Sequence, residues 1–300
     1  MLEKRTDLAL EVHELHGNGS GISVSEKNVL GFFVTYADVK DAEGARLSGK
    51  PIGRYITFDV GELYKKGRDA TVSAASVIAE EMKALFPKNC KSFLAVGLGN
   101  ESITPDSVGP LAIKKLLVTR HIEFIDNALY NDVGFGSLAA VSPGVLGQTG
   151  VESMDIISAI VQKIKPQCVI IIDSLASRRL NRLATTLQLS NTGISPGSGV
   201  SNHRAELSEK TLGVPVISIG VPTVFDAATL AYDLLEEAVG NEDETFFEVV
   251  KRAFSSDRRD MFVTPKDNDV IAKCASELIA MAVNMAVHNM LDSEINEFLS

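Results

Sequence analysis

Cysteine is scarce in this 300-residue chain. Cys90, Cys168 and Cys274 stand far apart, are odd in number and never form a CxxC pair. That argues against a zinc knuckle and against a disulfide framework, and reads as reduced thiols. Basic charge is also short. Lys and Arg number 29 against 39 Asp and Glu, for a net charge of -10 and a pI near 5.1. A general nucleic-acid binder needs a basic face to displace counterions, so no nucleic acid is expected as a partner. The start, MLEKRTDLALEVHELHG, has no apolar signal core. No window approaches about 18 uninterrupted apolar residues, so no membrane is expected and the chain reads as cytoplasmic.

Familiar catalytic signatures are missing as well. There is no Walker GxxxxGK[ST], and GLGN at 97–100 lacks the third glycine of GxGxxG. No GxSxG elbow and no DTG or DSG triplet occurs. HELH at 13–16 misses the HExxH spacing, so one helix could not present both imidazoles to zinc.

What is present is a core-forming α/β pattern. Hydrophobic residues make up 45% of the chain, and its length is ample for a sizeable core. Residues 55–60 (YITFDV), 92–99 (SFLAVGLG), 168–176 (CVIIIDSLA) and 214–222 (VPVISIGVP) read as strands. The last three are apolar without polar alternation, as parallel strands covered on both faces are. Helical spacing runs over 69–86, 107–122 and 153–165. Beyond Pro222 the chain reads as helical, closing with a long helix from Asp267 or Asp269. Residues 1–30 read as an exposed or irregular arm. The pattern predicts one α/β domain over 1–300, a mostly parallel twisted sheet flanked by helices, with 223–300 as its mainly helical C-terminal part.

In open parallel sheets, sites form beyond the carboxyl ends of the strands. Two acids fall there: Asp106, a short loop after strand 92–99, and Asp173, at the end of VIIID. A carboxylate ending a run of buried isoleucines is costly unless paired or open to a cavity. If the strands are neighbours, the acids meet at one mouth. Two close carboxylates hold one proton unequally, which supplies a general base for water and a general acid for a leaving group. The bland alternatives are that Asp173 caps a turn or pairs with Arg178 or Arg179. Three glycine-bearing loops could approach a substrate backbone closely, or could simply turn tightly. They hold Gly97, Gly99 and Asn100; Gly147, Thr149 and Gly150; and Gly197 and Gly199. The histidines 121, 203 and 288 are isolated, so no metal or other cofactor is expected.

Six motifs in order bring a family into view: RTDLALEVHE, VGLGNESITPDSVGP, SPGVLGQTGVES, IIDSLASR, GISPGSGVSNHR and LGVPVISIGVPTVFDA. Together, from residue 5 to about 228, they resemble the germination proteases of endospore-forming bacteria. The resemblance implies an endopeptidase, regarded as an atypical aspartic peptidase, that degrades small acid-soluble spore proteins during germination. It implies a fold like that of the hydrogenase maturation peptidases (phosphorylase/hydrolase-like), essential aspartates at Asp106 and Asp173, and a homotetramer in the spore core. It also implies a self-processing zymogen. Residues 6–11, TDLALE, resemble the family's cleavage pattern, placing the cut between Asp7 and Leu8 with 1–7 as a short propeptide. Two other readings stand beside this one. One is a hydrogenase-maturation-like, metal-sensing peptidase. The other is a non-catalytic module whose loops hold a peptide or nucleotide.

Overall fold

The strongest strand signal in the sequence lies at the centre of the sheet. The structure is a computed structural model that describes residues 7–9, 21–62, 65–177, 179–195, 205–227, 230 and 261–299. Its strands are β1 (Ile22–Val29), β2 (Phe32–Val39), β3 (Gly53–Asp59), β4 (Ser92–Gly97), β5 (Ser137–Val141), β6 (Cys168–Ser177), β7 (Thr186–Ser190), β8 (Val216–Asp226) and β9 (Phe262–Val263). They form one sheet in the order β1-β2-β3-β7-β8-β6-β4-β5, with β9 paired to β8. Strands β5, β4, β6 and β8 are parallel, while β7, β3, β2, β1 and β9 join antiparallel. The fold is therefore α/β with a mixed sheet: the expected parallel arrangement holds for its centre, and an antiparallel wing extends it.

Apart from the single turns Ile122–Ile125, Leu146–Thr149 and Glu209–Leu212, the helices among the described residues are α1 (Ala42–Ser48), α2 (Arg68–Leu85), α3 (Val108–Ile113), α4 (Asn127–Val133), α5 (Ser153–Ile164), α6 (Asn268–His288) and α7 (Asp292–Leu299). Alternation along β6 divides the core. Ile170 and Ile172 face a large cluster with Ile78 and Met82 of α2, Val108 and Ala112 of α3, and Ile279 and Val283 of α6. Val169 and Ile171 face a second cluster with Ile157 and Val161 of α5. By length and composition α6 could cross a membrane, but it is packed into this core, as a helix apolar on most sides must be.

Three expectations differ from what forms. The stretch 1–30 is not all irregular: β1 pairs along its length with β2, through a turn in which Leu30 and Gly31 both take positive φ. The helix expected over 107–122 stops at Ile113, because tertiary partners take the backbone groups that would continue it. The Asn284 side chain accepts from Leu117 N and donates to Lys115 O, and His288 Nε2 donates to Leu117 O. The chain after Pro222 does not turn helical at once. Residues 223–226 stay in β8, where Val224 and Phe225 pair with Ala176 and Ser177. Pro222 sits beside a register shift between Leu175 and Ala176, a place where a missing N–H is tolerated. The helices expected over most of 228–260 lie outside the described residues.

Candidate active site

Asp106 is held by the loop it closes. After β4, Leu98 N donates to Ile172 O of β6 at 2.8 Å. Gly99 then takes φ +114, and a Cβ on it would overlap the Asp106 carbonyl oxygen. Asp106 ends a single 3-10 turn, Thr104–Asp106. Its Oδ2 accepts from Asn100 N at 2.8 Å, and its own N donates to Ile103 O at 2.8 Å. Thr223 of β8 donates its hydroxyl to Pro105 O at 2.6 Å, tying the turn to the neighbouring strand end. Three residues on, Gly109 lies against the backbone of Leu98 and Ile172, where any Cβ would collide. The absence of side chains at Gly97 and Gly109 lets α3 sit directly on the strand ends.

Asp173 follows Ile172 in β6, so the two acids occupy the same carboxyl end of adjacent parallel strands. It is buried, and its Oδ1 accepts from Ser174 N at 2.8 Å. Alternation places its side chain on the face shared with Val169 and Ile171. The hydroxyls of Ser174 and Ser177, close by on the same strand, are buried with no hydrogen-bond partner.

The second glycine loop reaches the same end. Gln148 Nε2 donates to Asn100 Oδ1 at 2.7 Å, and Ser142 donates its hydroxyl to Gly97 O at 3.1 Å. Within that loop, Thr149 hydrogen-bonds to Val145 and Val151, Gly150 closes the single turn Leu146–Thr149 in a left-handed conformation, and Gly147 is open to space. Gly97 and Gly99 have packing reasons of their own for being glycine. Gly197, Gly199, Arg178 and His203 lie outside the described residues. Among the described residues no three His, Cys, Asp or Glu side chains gather as a metal site would require.

Nothing in the residue pattern announces what covers this face. Residues 7–9 are not an exposed arm but cross the sheet from β6 to β7. Asp7 N donates to Ala176 O at 3.0 Å, and Ala176 N returns a bond to Asp7 Oδ2 at 2.9 Å. On the other side, Gln188 Nε2 donates to Asp7 O at 3.0 Å while its Oε1 accepts from Ala9 N at 2.7 Å. Lys50 Nζ donates to the same Asp7 carbonyl at 3.1 Å. Leu8, between these anchors, is fully buried. A cavity of about 130 Å³ continues beside Asp7, lined by Lys50, Tyr55, Leu175, Gln188, Ser190 and Gly220 among others. Gly220 is the register partner of Asp173. Burial pushes the Tyr55 phenol up to about 12, and its hydroxyl donates to Pro51 O. Sequence reasoning misses Lys50 and Gln188. The alternation Thr-Leu-Gln-Leu-Ser of β7, with Leu187 and Leu189 in the core and Gln188 opposite, is the available signal for the second.

Known proteins resemble this chain along most of its length. A sequence model described as germination protease matches residues 3–242. Germination proteases of Clostridium perfringens and Clostridium acetobutylicum are 39% and 41% identical over 327 and 325 aligned positions, covering 100% and 99% of both chains respectively. That of Oceanobacillus iheyensis is 44% identical over 248 positions, covering 77% of this chain and 66% of its own. Among solved structures, the [NiFe] hydrogenase maturation protease HycI from Thermococcus kodakarensis KOD1 aligns at 16% identity and a TM-score of 0.36, over 68% of this chain and 99% of its own. With a family model spanning most of its length and relatives alike end to end, the chain belongs to the germination protease family and is a peptidase of spore germination.

Proposed function

We propose that this peptidase cuts with Asp106 and Asp173 as an acid–base pair, that its substrates are small acid-soluble spore proteins, and that it first processes itself between Asp7 and Leu8. The observation that carries the reading is the position of Asp7. Its backbone and carboxylate are bonded to Ala176, three residues beyond Asp173 on the same strand. An acidic residue, a buried apolar residue and a small one therefore lie in sequence beside the acid that ends VIIID.

In this reading the ionised carboxylate takes a proton from water as its oxygen adds to the Asp7 carbonyl carbon. The protonated carboxyl then gives its proton to the Leu8 nitrogen as the C–N bond breaks. A pair sharing one proton is populated at lower pH than a fully ionised pair, so acidification of the spore core starts processing. The reading needs no cofactor. It assigns the enzyme to the cytoplasm of the forespore and to the spore core, as a homotetramer.

The test is intact mass after acidification. The wild-type chain loses its first seven residues and then cleaves small acid-soluble spore protein. Asp106→Asn and Asp173→Asn keep the wild-type fold by circular dichroism and lose at least about a hundredfold in rate. Wild-type rates in both variants would remove the acid pair from the mechanism.

A further inference from the structure

The acid pair accounts for the water and the leaving nitrogen, but not for the third participant, the carbonyl oxygen. When water adds, the carbonyl π electrons move to that oxygen, and a full negative charge develops where the substrate had only a dipole. Catalysis requires donors that bind this oxygen more strongly as its charge grows. The oxygen in question is that of Asp7, and two donors already meet on it: Lys50 Nζ at 3.1 Å and Gln188 Nε2 at 3.0 Å.

Both donors are fixed before any reaction. Gln188 is buried on β7. Its Oε1 accepts from Ala9 N at 2.7 Å, which leaves only the NH₂ end to face the Asp7 carbonyl. Lys50 comes after the end of α1, where Gly49 takes φ +62 and turns the chain. Its own N–H is anchored on the Ser48 hydroxyl at 3.2 Å. One donor is thus a neutral amide that reads the peptide on both sides of Leu8. The other is a half-buried ammonium, whose attraction rises most when the oxygen becomes an anion.

We propose that Lys50 and Gln188 form the oxyanion site of this peptidase, gripping the scissile carbonyl of a peptide whose next residue fills the Leu8 pocket. The proposal rests on the Asp7–Leu8 bond being the one cut. When the tetrahedral centre collapses, the electron pair returns from the oxygen to re-form the carbonyl, and the Leu8 nitrogen departs with a proton from the acid pair.

The experiment tracks the first-order loss of residues 1–7 from the full chain on acidification, by intact mass. It compares wild type with Lys50→Met, Lys50→Arg and Gln188→Glu, the last of which keeps the acceptor for Ala9 N but not the donor. Hydrogen exchange at the Ala9 amide, read before acidification, reports whether the segment remains docked. The expected result is a fall of about a hundredfold in Lys50→Met and Gln188→Glu, partial recovery in Lys50→Arg, and an Ala9 amide as protected as in wild type. An unchanged rate in Lys50→Met overturns the oxyanion role. So does a slow variant whose Ala9 amide has lost protection, because the side chains would then only hold the segment. A wild-type product that does not begin at Leu8 overturns the assignment of the bond itself, whatever the variants do.

Discussion

At the scale of single residues, this fold sets polar groups in apolar places for a reason that can be named. His288 is the plainest case. It is buried edge-on to Phe135, and its Nε2 donates to Leu117 O at 3.0 Å. Burial depresses it to about 4 from its ordinary 6.5. Folding therefore favours the neutral ring. The stability it contributes is complete above pH 6.5 and is lost as pH falls from there toward 4. At pH 5 the penalty is about 2 kcal/mol. Thermal unfolding at pH 7.5 and pH 5 should show a drop in midpoint for the wild type. His288→Gln, which keeps a donor for Leu117 O but does not titrate, should show a smaller drop. The same experiment bears on function, because acid is also the condition proposed to start self-processing.

At the scale of elements, the connection after α3 is fastened by α6. Asn284 bridges Leu117 N at 2.9 Å and Lys115 O at 3.1 Å, and Lys115 Nζ reaches Glu277 at 3.0 Å. Asn284→Ala strands both backbone groups in the core, so a loss of about 2–4 kcal/mol is expected in denaturant unfolding. Asn284→Asp should do at least as much damage, by placing a charge opposite the Lys115 carbonyl. This fastening also explains what could be read from the chain. Continuous apolar runs make β4, β6 and the start of β8 legible, and apolar spacing makes α2, α5 and α6 legible, since each buries its own pattern. The stop at Ile113 depends on Asn284 and His288, some 170 positions away, and nothing near Ile113 announces it. β1 is hard to read because none of its residues is buried, and the alternation of Ile22 and Val24 with Ser23 and Ser25 breaks at the polar run Glu26–Asn28. Asp106 and Asp173 stand out because an acid beyond a buried strand needs a purpose. Lys50 and Gln188 do not, because a lysine after a glycine and a glutamine in a short strand are ordinary until a peptide lies between them.

At the scale of the whole molecule, the mixed sheet divides the labour. Its parallel centre carries both acids at one end, and its antiparallel wing brings in the residues that hold the docked N-terminal segment: Gln188 from β7, and Lys50 from the connection between α1 and β3. A purely parallel sheet would have supplied the first without the second. Because Leu8 is buried, cutting beside it changes more than the length of the chain. In the intact chain its nitrogen belongs to a neutral amide. Hydrolysis after Asp7 turns it into a free amine with an ordinary pKa of about 7.7–8.0, charged at and below neutrality. A cation in that enclosed position is costly, and the Lys50 ammonium stands close by to repel it. An amine-reactive reagent should therefore label Leu8 of the processed chain as fast as it labels an unstructured peptide terminus; slow labelling would show that the new end stays inside. Under the proposed cut, a segment held by its apolar side chain gains a charge that its enclosure disfavours, and this empties the site for another chain.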